Sequence, residues 1–160
     1  MSYMQVRQKA KIFMMQAIEL AKQALLAGEV PVGAVVVDEN GKVISAAYNQ
    51  VEERNSQACH AEILAIDSAA KLRKNWRLSK CWIYVTLEPC SMCMGLIRLS
   101  RFEGVVYGAP SPLYGYHLDA THSSKLYKKK DVIVIEGVLE SESKELLQTF
   151  FKKERGSSEA

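Results

Sequence analysis

Two short runs in this chain carry residue types that do metal chemistry: His60-Ala61-Glu62 and, further along, Pro89-Cys90-Ser91-Met92-Cys93. One imidazole and two thiols make three ligands, the number a catalytic zinc site takes from protein while its fourth position stays open to water; a structural site closes all four. Glu62 completes the pattern. It follows His60 closely enough to reach the same site without being needed as a ligand, and a carboxylate there takes a proton from water and hands it on. Zinc lowers the pKa of bound water to about 7. The spacing therefore predicts a hydrolytic centre, with His60, Cys90 and Cys93 holding one zinc ion and Glu62 carrying the proton.

Other readings of the same residues compete. A lone Cys-x-x-Cys in a reduced compartment is also a redox pair or half of a structural zinc site, and it is the upstream His60 and Glu62 that turn the balance toward catalysis. Cys59 and Cys81 have no partner pattern and read as small apolar residues. His117 and His122 fall in an irregular stretch and suit surface or hydrogen-bonding roles. Trp76, Trp82 and Phe102 read as core or interface packing, although an exposed aromatic ring also stacks on a base.

These residues need elements to position them. Phe13, Ala17, Leu20, Ala21 and Ala24 recur at helical spacing up to about Ala27, with Gly28 where a left-handed terminator is wanted. Val30 to Asp38 is rich in β-branched residues, and Asn40-Gly41 signals a hairpin into a second strand, Lys42 to Tyr48. Ala61 to Leu72 reads as a helix beginning at the first motif. Trp82 to Leu87 reads as a strand stopped by Pro89, and a helix marked by Met92, Leu96, Ile97 and Leu99 carries Cys90 and Cys93 on one face of its first turn. Gly104 to Gly108 and Val132 to Ile135 suit buried strands. Ser141 to about Arg155 is a last helix whose Glu142 near the start and Lys152, Lys153 and Arg155 near the end complement its dipole. This order predicts an α/β fold of three layers, α/β/α, around a five-stranded mixed sheet.

The 160 residues fit one domain, expected over 1–155, with 156–160 as a disordered tail. Lysine and arginine exceed aspartate and glutamate by 21 to 18, a net charge of +3 that permits an acidic partner without demanding one. The N-terminal apolar residues are broken by Lys9, Lys11, Glu19 and Lys22, unlike a secretory signal, and no apolar run reaches the roughly 18–20 residues of a membrane span. A cytoplasmic protein with reduced thiols and no membrane partner is expected.

The motifs His-x-Glu and Pro-Cys-x-x-Cys resemble those of zinc-dependent nucleoside and nucleobase deaminases. More narrowly, Glu29-Val30-Pro31-Val32-Gly33-Ala34, His60-Ala61-Glu62-Ile63 and Thr86-Leu87-Glu88-Pro89-Cys90-Ser91-Met92-Cys93 resemble the bacterial tRNA-specific adenosine deaminases, and the likeness runs from about Ile12 to Arg155. The resemblance implies a cytidine deaminase-like fold and conversion of adenosine to inosine at the wobble position of a tRNA anticodon. It implies that Asn49 hydrogen-bonds the flipped adenosine, that the Ala61 N–H meets the group at C6, that Leu87 and Pro89 line the pocket, and that Phe151 approaches the anticodon loop. Asn49 also reads as a turn residue ending its strand, and Phe151 as a packed helix aromatic. A homodimer is implied too, with phosphates met by Lys128, Lys129, Lys130, Lys152, Lys153 and Arg155. The chain departs from that family at Pro110-Ser111-Pro112-Leu113-Tyr114-Gly115-Tyr116, where a polar or acidic residue and a small, glycine-rich stretch are usual. That loop borders the substrate, so the departure bears on RNA contacts and nucleotide preference. The rival functions are deamination of a free base or nucleoside of guanine or cytosine type, and a noncatalytic RNA-binding subunit that keeps zinc for folding. Glu62 argues against the second, since an inactive scaffold has no use for it.

Overall fold

Ser2 starts the first helix with a capping box: its hydroxyl accepts the Gln5 N–H while the Gln5 side chain accepts the Ser2 N–H. The computed structural model describes residues 1–119 and 131–158, and in it this helix, α1, spans Tyr3–Leu26. It begins well before Phe13, because Val6 and Ala10 extend the buried stripe backwards between charged neighbours. Its end is as the sequence predicts. Gly28 has φ +77°, the Glu29 N–H reaches the Ala24 carbonyl, and the Gly28 N–H reaches that of Leu25, the pairing of a Schellman terminator.

The strands follow as β1 (Gly33–Val37), β2 (Val43–Tyr48), β3 (Trp82–Leu87), β4 (Gly104–Ala109) and β5 (Ile133–Ile135), in the spatial order β2-β1-β3-β4-β5. β1 pairs antiparallel with both β2 and β3, whereas β3, β4 and β5 run parallel, so the expected mixed sheet is present. The β1–β2 turn is fastened by Asp38, whose carboxylate accepts the N–H groups of Asn40 and Lys42, and Gly41 takes the positive φ the turn requires. β1 and β4 are buried throughout, as strands covered on both faces must be.

Four helices complete the fold: α2 (Val51–Arg54), α3 (Ala61–Arg73), α4 (Ser91–Leu99) and α5 (Glu140–Ser158). On one face of the sheet α1 packs Phe13, Met14 and Ala17 against Val35, Tyr84 and Val106, and Leu146 of α5 joins them. On the other, Ala65 and Ile66 of α3 and Met94 and Ile97 of α4 meet Val36, Ile83 and Val105. These are the three layers expected. Trp82 and Phe102 are core residues, whereas Trp76 is exposed with the Arg77 guanidinium 4.2 Å from its ring centre.

Two further details differ from the sequence reading. The four-residue α2 has no apolar period to announce it. The last helix runs through Gly156, Ser157 and Ser158, so these belong to α5 rather than to a disordered tail; each serine hydroxyl bonds back to a carbonyl four residues earlier. Glu159 and Ala160 lie outside the described residues, as do His122 and the Lys128-Lys129-Lys130 run.

Candidate active site

Because α3 leads into β3 and α4 leaves it, both helices start at the carboxyl end of that strand. His60 is the N-cap of α3 and Cys90 the N-cap of α4, each in extended backbone conformation and neither making a side-chain capping bond. Cap positions usually hold short polar side chains that satisfy the first N–H groups. Here the two caps turn toward each other. Cys90 Sγ stands 3.7 Å and Cys93 Sγ 3.4 Å from His60 Nδ1, and the three donor atoms lie within 4.8 Å of one another.

That spacing fits zinc. With bonds of about 2.3 Å to sulfur and 2.0–2.1 Å to nitrogen, a tetrahedral S···N edge is about 3.6 Å, and the two distances observed bracket it. The charge pattern fits as well. Cys90 is held down to about 4, first by the Cys93 thiol donating to it and then, against burial, by His60. Cys93 is pushed the other way by that same bond and by burial, and His60 is raised chiefly by its bond to Cys90. The cluster thus stabilises negative charge on sulfur at a helix start, where thiolates are favoured.

Glu62 follows in the first turn of α3 and is 4% exposed. Burial, the largest cause, pushes its carboxyl up to about 7. A group near neutrality both accepts and releases a proton under ordinary conditions.

His60, Glu62 and Cys90 open onto a cleft of about 880 Å³ whose walls include Asn49 and Leu87. Asn49 is buried, its N–H bonded to the Val32 carbonyl, so it does end strand β2 while its side chain remains on the cleft wall. Ala61 and Pro89 are buried beside the cleft and are not part of its lining. Phe151, expected near the RNA, is 49% exposed but does not line the cleft either; Phe150 does, and the two rings meet edge to face at 5.2 Å.

Two carboxylates that the motifs contain, but to which their spacing gave no role, organise the walls. Glu29 is buried and accepts the N–H groups of Glu52 and Glu53, capping α2 from outside because Gln50 makes no cap bond. Glu88 accepts the Ser111 N–H and both the N–H and Nδ1 of His117, which thereby takes the hydrogen-bonding role expected of it. Neither was legible as a function, since both bind backbone that is distant in sequence.

Fold and site together define a zinc-dependent deaminase. The chain belongs to the cytidine and deoxycytidylate deaminase family, whose zinc-binding region matches residues 7–109. Its relatives are more particular. It is 42% identical over 153 residues to the tRNA-specific adenosine deaminase of Bacillus subtilis (strain 168), covering 94% of this chain and 93% of that one. The solved structure of a tRNA:A34 deaminase, studied for A-to-I editing at the wobble position of transfer RNA, superposes with a TM-score of 0.75 at 36% identity over 84% of this chain and 98% of that one. A guanine deaminase from Nitrosomonas europaea superposes at 0.77 with 25% identity over 88% and 83% of the two chains.

Proposed function

We propose that this protein is a hydrolytic deaminase that uses one zinc ion per subunit to convert adenosine to inosine at the wobble position of a tRNA anticodon. The observation that carries this reading is the convergence of His60, Cys90, Cys93 and the buried Glu62 on one open cleft, in a chain similar along nearly its whole length to tRNA-specific adenosine deaminases.

Zinc held by His60, Cys90 and Cys93 supplies a Lewis acid that makes water a nucleophile near neutral pH. Overall, water adds oxygen at C6, the C6–N bond breaks and ammonia leaves. Glu62 takes a proton from water and delivers it to N1, then takes the remaining proton from the new C6 hydroxyl, which becomes the carbonyl, and passes it to the departing amine. Asn49 hydrogen-bonds the base, the Ala61 N–H at the start of α3 meets the group at C6, and Leu87 packs on the ring with Pro89 behind it. Phe150, on the cleft wall, faces the anticodon loop, while Phe151, Lys152, Lys153 and Arg155, spread around the same helix, supply an exposed ring and positive charge for phosphates near it.

The likeness along nearly the whole chain to tRNA-specific adenosine deaminases favours RNA over a free base, and a cleft of about 880 Å³ leaves room for more than a lone purine. We infer a homodimer, as the resemblance to tRNA-specific adenosine deaminases implies. No helix among the described residues is long and apolar enough to cross a membrane, and the reading places the enzyme with tRNA in the cytoplasm.

The likeness to a guanine deaminase gives the rival reading its footing. Zinc-loaded protein is offered an anticodon stem-loop with wobble adenosine and, separately, free adenosine, guanine, cytosine and cytidine. Inosine in the stem-loop is the expected product. Turnover of a free base with none of the RNA overturns the assignment.

A further inference from the structure

The loop after β4 is where this chain departs from the deaminases it resembles, and it is not loosely hung. Glu88, 3% exposed, accepts the N–H groups of Ser111 at 3.2 Å and His117 at 3.3 Å, and its Oε2 lies 2.6 Å from His117 Nδ1. The Tyr116 N–H donates to the Pro89 carbonyl at 2.9 Å, and Cys90 forms an isolated antiparallel bridge with Gly115. A Cβ on Gly115 would run into the Glu88 carboxylate, so the latch demands glycine there. Residues 111–118 are thereby fastened to the segment that begins the Cys90 helix.

On this fixed frame Tyr114 is 77% exposed and lines the same cleft as His60 and Glu62. Leu113, beside it, is equally bare. An aromatic ring held over a cleft by a fastened loop offers a flat stacking surface with little chain entropy left to lose. Other stretches of the cleft wall carry Glu52 and Glu154, whose charges disfavour a phosphate. The occupant that the Tyr114 ring itself suits is the flat face of a base. The cleft holds more than the single base that reaches Glu62.

We propose that Tyr114 is the stacking platform for a nucleobase adjacent to the reacting adenosine, and that Glu88 is the positioning residue that holds the platform in place. This rests on the RNA reading of the site. Ring stacking of this kind is tolerant of base identity, so the platform adds affinity for single-stranded RNA rather than choice of sequence.

The test uses the full-length, zinc-loaded protein and an anticodon stem-loop. Wild type is assayed first, and if it turns over no stem-loop, the RNA reading itself has failed. Given turnover, Tyr114→Ala should raise KM about tenfold with kcat within about twofold, while Tyr114→Phe and Tyr114→Trp keep the wild-type KM. Glu88→Gln, with zinc content measured to be intact, should raise KM as Tyr114→Ala does. The deciding arm replaces each base flanking the wobble adenosine with an abasic sugar. On one of the two abasic RNAs wild type should lose the same tenfold and Tyr114→Ala should lose nothing further. An unchanged KM for Tyr114→Ala, or a loss that persists in full on both abasic RNAs, overturns the platform.

Discussion

His60 Nδ1 lies 3.4 Å from Cys93 Sγ although the two residues are 33 positions apart and sit at the starts of different helices. Strand β3 makes this contact possible, since one helix ends into it and the other begins from it. The site is thus assembled by tertiary structure and closed by metal. Removing zinc with a chelator should abolish activity, and adding zinc should restore it. Cys90→Ser should weaken zinc retention by more than the roughly 10–100-fold that follows loss of an outer-shell partner, as read by metal analysis after dialysis. Full zinc occupancy in that variant would remove Cys90 from the ligand set.

Glu62 lies beside the metal residues without belonging to their cluster. Glu62→Gln should keep its zinc, because the three ligands are untouched, and lose about 10²–10⁴ in kcat, the usual worth of a positioned acid–base group. Steady-state turnover and zinc stoichiometry are measured on the same preparation. Near-normal kcat would show that another group moves the proton.

Glu29 caps a helix to which it is not adjacent in sequence, and Asn49 stands just ahead of that helix. Glu29→Gln replaces two charge-assisted bonds with weaker ones, at a cost of about 1–2 kcal/mol. For a chain of this size that corresponds to a fall in Tm of about 3–6 °C. kcat/KM should fall with it as the Asn49 segment shifts. A Glu29→Gln protein with parental Tm and activity would rule out the cap.

Gly33 sits where α1 crosses β1, and a Cβ there would meet the Ala17 carbonyl oxygen, with the Ala21 nitrogen 2.8 Å away. Helix backbone cannot step aside as a side chain does, so Gly33→Ala should cost at least the 1–3 kcal/mol typical of overpacking. Gly156, late in α5, has nothing within 4 Å of such an atom, and Gly156→Ala should raise helix stability by up to about 1 kcal/mol. Thermal melts of the two variants should move in opposite directions. Equal melts would mean that the crossing is looser than described.

Much of this was readable from residue order, for physical reasons that differ by element. Strands β1 and β4 announce themselves because buried β-branched runs such as Val35-Val36-Val37 have few other uses, and β2 through the Asn40-Gly41 turn before it, whereas β5, expected to be buried, has Val134 36% exposed; the zinc residues stand out because their types and spacing are rarely combined by chance. The backward extension of α1 to Tyr3 is hidden since Arg7, Lys9 and Lys11 interleave its buried Val6 and Ala10. α2 is invisible to any periodicity because four residues make a single turn. The roles of Glu29 and Glu88 depend on backbone N–H groups far along the chain, which no local pattern records. Phe150 and Phe151 differ by about 100° around a helix, and only the packed molecule tells which of them faces the cleft.

The two fastenings described above have different owners. His60, Cys90 and Cys93 are set by helices docked on a buried sheet, while the loop bearing Tyr114 hangs from one carboxylate and two main-chain contacts. Residues along that loop are therefore free to drift, provided Glu88 and Gly115 stay, without disturbing the reactive centre. Such a division lets a lineage retune how tightly it grips its substrate while inheriting its bond-breaking apparatus intact.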